Sequence, residues 1–113
     1  MVRGEIWWAS LPSSVASEPG YRRPVLIIQS DSFTRSKINT IICVIISSNL
    51  KLAEAPGNVL LHKNDSNLSK TSVVNISQII TLDKSFLTKC VGSINKAFLK
   101  KVEMGIKLVF DLN

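Results

Sequence analysis

Short apolar blocks, separated by polar, glycine-bearing or proline-bearing punctuation, dominate this chain, and only its C-terminal stretch changes to a helical period. Gly4 to Leu11 alternates as a strand, and the serine, proline and glycine of Pro12 to Gly20 predict a long exposed loop. Arg23 to Gln29 runs apolar without alternation, as a buried strand does. Asp31 is an N-cap type of residue, and Asp31 to Ser36 is expected to make one short helical turn. The β-branched run Ile38 to Ile46 is the strongest strand in the sequence. Pro56-Gly57 turns the chain into Asn58 to Leu61, Asn64 to Ser69 reads as a polar loop, Ser72 to Ser77 as a further strand, and Lys89 to Ser93 as a short last one. Phe98, Val102, Ile106 and Val109 then recur at helical spacing behind Asn95 as N-cap, with Lys96, Lys100, Lys101 and Lys107 on the other faces. The expected architecture is mainly β with helices, an antiparallel sheet covered by one amphipathic C-terminal helix.

Length bounds that picture. The 113 residues make one domain, residues 1–113, with room for a single core and none for a second catalytic module. The composition, 45% hydrophobic, is that of a globular protein. The longest apolar run, Ile41 to Ile46, falls far short of the ~20 residues of a membrane span. Around Arg3 and Glu5 there is no long hydrophobic stretch of a secretory signal, so a cytoplasmic location is expected, where Cys43 and Cys90 stay reduced. Two cysteines outside any Cys-x-x-Cys pattern, one histidine and no clustered acids argue against a metal site, and no cofactor is expected. Cys43, inside an apolar run, is expected to be a small core residue.

Charge redirects attention to function. A net charge of +6 attracts polyanions through long-range steering and counterion release, and serves acidic protein segments equally well. The loop Ser17-Glu18-Pro19-Gly20-Tyr21-Arg22-Arg23 carries a carboxylate and two guanidiniums to the mouth of the strand that follows. Guanidinium forks suit phosphate oxygens, which points to phosphoryl chemistry or RNA contact. The plainer alternative is a solvated strand entry in which the arginines pair with Glu18.

Four blocks favour the first reading. Gly4-Glu5-Ile6-Trp7-Trp8, then Ser17-Glu18 with Arg23-Pro24-Val25-Leu26, then Ile45-Ile46-Ser47-Ser48, and Val73-Val74-Asn75-Ile76-Ser77-Gln78-Ile79 resemble, in that order and spacing, the MazF/PemK family of toxin endoribonucleases. The resemblance implies a small, partly open SH3-like antiparallel β-barrel, a homodimer, single-stranded RNA as substrate and a cognate antitoxin as partner. It also implies cleavage without metal, leaving a 2′,3′-cyclic phosphate and a 5′-hydroxyl. Such a reaction needs a proton acceptor for the ribose 2′-hydroxyl, a donor to the leaving 5′-oxygen, and positive charge where the phosphorane develops.

By resemblance Arg23 matches the family's essential arginine, and its guanidinium suits charge stabilisation better than base work. Ser47 stands where the family commonly carries threonine; it keeps the hydroxyl, and its alternative is a strand-terminating turn serine. Glu18 matches a family glutamate and is either the base or a loop anchor that orients Arg23. Ser17, Arg22 and Gln78 are expected RNA contacts, Gln78 alternatively capping a buried backbone group, and Tyr21 offers a ring on which a base can stack. His62, the single histidine, is remote from these motifs and is expected to be an ordinary edge residue. Two departures from the family stand out: Pro19-Gly20-Tyr21 replaces a more glycine-rich approach to the arginine, and Ile80 stands where an arginine is frequent. The competing class is a non-catalytic toxin like the gyrase poison CcdB. That family relies on a tryptophan near its C-terminus, whereas this chain ends Val109-Phe110-Asp111-Leu112-Asn113 and keeps its tryptophans at Trp7 and Trp8.

Overall fold

A computed structural model describes residues 1–11 and 22–113 of the chain. Glu5–Ser10 forms β1, Arg22–Ile27 β2, Thr40–Ser47 β3, Val59–Leu61 β4, Ser72–Asp83 β5 and Leu87–Ser93 β6. All pairings are antiparallel, in the order β4-β5-β3-β2-β1-β6, and the sheet curls into a half-barrel. Single helical turns occupy Asp31–Thr34 (α1) and Lys63–Ser66 (α2), and Lys96–Val109 forms the longest helix among the described residues, α3. The expected mainly β architecture with a C-terminal helix is therefore what the chain builds.

Strand alternation sorts the central strands into two cores. Leu26 pairs with Ile6 on one side and Val44 on the other, and these three join the cluster that α3 covers with Val102, Phe98 and Ile106. The neighbouring positions point the other way: Val25 opposite Ile45, Ile27 opposite Cys43 and Ile41 opposite Leu82 build the second cluster, closed by Leu87 as the sheet curls. Burial on both faces explains why β2 and β3 read as continuous apolar runs.

Asn95 caps α3, its side chain accepting from the Phe98 N–H at 2.9 Å, as expected. Val102 is fully buried, whereas Val109, expected on the same face, is 46% exposed. By that last turn the helix has run past the sheet, and Leu108, Phe110 and Leu112 are exposed with it. Gly105 faces the turn before β4, where a β-carbon would overlap the Gly57 carbonyl oxygen and stand 3.0 Å from Ile76. A glycine costs ~1 kcal/mol against alanine in a helix, and here it lets two backbones touch.

The structure corrects the sequence in three places. The segment from Asn64 begins inside α2 rather than in a loop, β6 starts at Leu87 instead of Lys89, and β5 continues to Asp83, well past Ser77. The β5 difference has a local cause. Val44 pairs with Ile79 but Ile46 pairs with Val74, so two steps along β3 match five along β5. The surplus, from Asn75 to Gln78, is a bulge, and its polar residues interrupt the strand pattern.

Candidate active site

Two strand ends create a polar cavity. β2 begins where β3 finishes, and their last joint pair at that end is Val25 with Ile45. Two residues outward along each strand stand Arg23 and Ser47, on the side that Val25 and Ile45 share. Both line a cavity of about 330 Å³. Because it opens at strand ends, residues of both parities reach it, and Arg22, Pro24, Ile46 and Ser48 line it as well. The third wall is the segment that leads into β5, which contributes Leu68, Ser69, Lys70 and Ser72.

The lining is cationic and hydroxylic. Arg22, Arg23 and Lys70 supply positive charge, four serines supply hydroxyls, and no carboxylate belongs to it among the described residues. Trp8 provides an aromatic wall, and the Arg22 guanidinium lies 4.6 Å from the centre of its ring. That stacking fits the register: Trp8 pairs with Pro24 and Ser10 with Arg22, which puts Trp8 and Arg22 diagonally on one face. Half-buried Arg23 and exposed Arg22 thus present guanidiniums at two depths.

Ser47 is buried, and its Oγ accepts from the Asn49 N–H at 3.1 Å. The turn role is therefore real. It uses a lone pair of the hydroxyl and not its proton, so the same group can donate to an anion in the cavity. Glu18, Ser17 and Tyr21 lie outside the described residues, and with them the alternative in which Arg23 pairs with Glu18.

Gln78 sits elsewhere. It is not a cavity residue; its Oε1 accepts from Asn75 Nδ2 at 2.7 Å, inside the β5 bulge. Asn58 completes that cluster, donating to Asn75 Oδ1 at 3.0 Å and to the Leu52 carbonyl at 2.8 Å, while accepting from the Ile76 N–H at 2.9 Å. Gln78 thus meets another side chain, where a backbone cap was the alternative. His62 is exposed at the start of α2 and lines a separate, larger groove between β4 and α3. Burial pushes the Cys43 thiol up to about 12, which removes it as a nucleophile near neutral pH. Among the described residues no three His, Cys, Asp or Glu side chains are grouped as a metal would need, and no helix is long and apolar enough to cross a membrane.

Sequence motifs missed Trp8, Ser48, Ser69, Lys70 and Ser72 as cavity residues. The polar stretch around Ser69 was the available signal, but only the β3–β5 pairing brings it beside Ser47.

Residues 2–110 match the family described as PemK-like, MazF-like toxin of type II toxin-antitoxin system. Endoribonuclease MazF6 of Mycobacterium tuberculosis is 44% identical over 110 residues, covering 97% of this chain and 96% of the relative. Endoribonuclease MazF of Staphylococcus saprophyticus is 34% identical over 114 residues, covering 100% and 93%. A mycobacterial endoribonuclease solved in complex with its cognate antitoxin superposes with a TM-score of 0.82 at 21% identity, over 100% of this chain and 97% of that one. Mycobacterium tuberculosis toxin MazF-mt6 gives 0.79 at 20% identity, over 96% and 98%. Sequence and fold agree along nearly the whole length, and the chain belongs to the PemK-like, MazF-like toxins of type II toxin-antitoxin systems.

Proposed function

We propose that this chain is a metal-independent endoribonuclease toxin that cleaves single-stranded RNA at the cavity between β2, β3 and the approach to β5. The observation that carries the proposal is the meeting of Arg23 and Ser47 at two strand ends, in a cavity whose described lining is cationic and hydroxylic. The endoribonuclease names of its relatives support the same activity and do not favour the CcdB-like alternative.

The ribose 2′-hydroxyl loses its proton and attacks its own phosphorus, the bond to the 5′-oxygen breaks, and that oxygen takes up a proton from solvent water, so that a 2′,3′-cyclic phosphate and a 5′-hydroxyl result. The guanidinium of Arg23 neutralises charge that builds on the non-bridging oxygens, and the Ser47 hydroxyl donates to one of them. Since a guanidinium does not give up its proton near neutral pH, Glu18 is assigned as the base that takes the 2′-hydroxyl proton. Ser17, Tyr21 and Arg22 hold the strand, Arg22 from its stack on Trp8.

Residues 1–113 form a single toxin domain that acts in the cytoplasm as a homodimer, and the apolar surface left exposed at the end of α3 supports the pairing. A cognate antitoxin, acidic enough to complement the +6 charge, holds it inactive, as the antitoxin complex of a structural relative supports. The test is incubation with long single-stranded RNA in EDTA beside Arg23→Ala, with fragment ends mapped. Discrete cuts with cyclic-phosphate ends by the wild type alone are expected; intact RNA in both lanes, from folded protein free of antitoxin, would overturn the proposal.

A further inference from the structure

On the reading that this cavity binds RNA, we infer that Lys70 is a phosphate-binding residue, gripping the phosphate next to the one cleaved at Arg23 and Ser47. Sheet order carries the argument. β3 lies between β2 and β5, so Arg22 and Arg23 line one wall of the cavity and the approach to β5 lines the opposite wall. Two strand spacings separate the backbones of those walls, about 10 Å in all, so that Lys70 approaches a bound RNA strand from the side opposite Arg22 and Arg23. Ser47 pairs with Val73, and Lys70 stands three residues before it.

The segment that presents Lys70 is fixed along its length. Asn67 takes a left-handed conformation, with φ 62°, and donates from Nδ2 to the Val91 carbonyl at 2.8 Å. Leu68 is buried and its N–H donates to Ser66 Oγ at 3.1 Å, while Ser72 Oγ donates to the Lys70 carbonyl at 2.9 Å. Among the described residues no carboxylate forms an ion pair with Lys70. A pinned backbone therefore presents Lys70 to a cavity that Arg22 and Arg23 also line, a gathering of cationic side chains that suits a polyanion. Being exposed, Lys70 can lose its charge without cost to the core.

The test compares Lys70→Met and Lys70→Arg with the wild type. Affinity for a single-stranded RNA, read in the Arg23→Ala background so that no cleavage intervenes, should fall on the order of tenfold in Lys70→Met, and the slope of log K against log salt should shrink by about 0.7. KM should rise with kcat retained, and Lys70→Arg should restore both affinity and slope. Lys37→Met, which removes an equal charge outside the cavity, should leave the slope unchanged. An unaltered slope in Lys70→Met, an equal loss in Lys37→Met, or a fall in kcat at unchanged KM would each overturn the assignment while RNA cleavage by the wild type stood. A wild type that neither binds nor cuts RNA would overturn the ribonuclease reading itself, and this assignment with it.

Discussion

Arg23 on β2 and Ser47 on β3 stand at the same level of the sheet, each two residues outward from the Val25–Ile45 pair in opposite chain directions. Both lie beyond the last pair that joins β2 to β3, so truncating either side chain leaves the pairing of those strands in place. Arg23→Ala should keep the fold and reduce RNA cleavage by 10²-fold or more, on the order expected for a lost transition-state donor. Ser47→Ala should lose activity and Ser47→Thr should keep it. Cleavage rates and thermal melts of the three variants check this, and equal rates would leave Ser47 as a turn residue only, bonded to Asn49.

The Asn58 amide serves three partners: the Leu52 carbonyl, Asn75 Oδ1 and the Ile76 N–H. Asn58→Ala should destabilise the protein by about 1–3 kcal/mol, since it strands polar groups at the β5 bulge. Gln78→Ala removes one acceptor from Asn75 and should cost less. Denaturant melts of both variants provide the comparison.

Gly105 meets Gly57 backbone to backbone. Although alanine is the better helix former, Gly105→Ala should lower stability by about 1–3 kcal/mol, because the added methyl has to push α3 away from the turn before β4. A raised melting temperature would show that the helix shifts without resistance.

The two thiols should behave differently. Cys43 is buried, and burial pushes its pKa from 9.0 up to about 12, whereas Cys90 on β6 is exposed. A thiol reagent at mildly alkaline pH should label Cys90 in the native protein and Cys43 only on unfolding. The sign for stability follows: with the folded pKa above the unfolded one, the contribution of Cys43 is intact below pH 9 and is lost as pH rises toward 12. Melts of wild type and Cys43→Ala across that range should converge as the pH rises.

Much of the fold was legible locally. The β-branched run ending at Ile46 became β3, the apolar run after Arg23 became β2, and Asn95 with Phe98 and Val102 marked the start and the buried face of α3. The β5 bulge was not legible, because its polar residues pair with Asn58, which lies far away in sequence.

The sequence by itself determined the strand and helix periods, the basic charge and the family blocks, since each of these depends on residue type and near spacing, and the resemblance those blocks carry pointed to Arg23 and Ser47. Only the tertiary structure decided that Lys70 shares their cavity, that Gln78 does not, and that Arg22 stacks on Trp8. The physical reason is register: cross-strand neighbours are fixed by hydrogen-bonded pairing between segments distant in the chain, and a bulge of a few residues redirects every side chain beyond it.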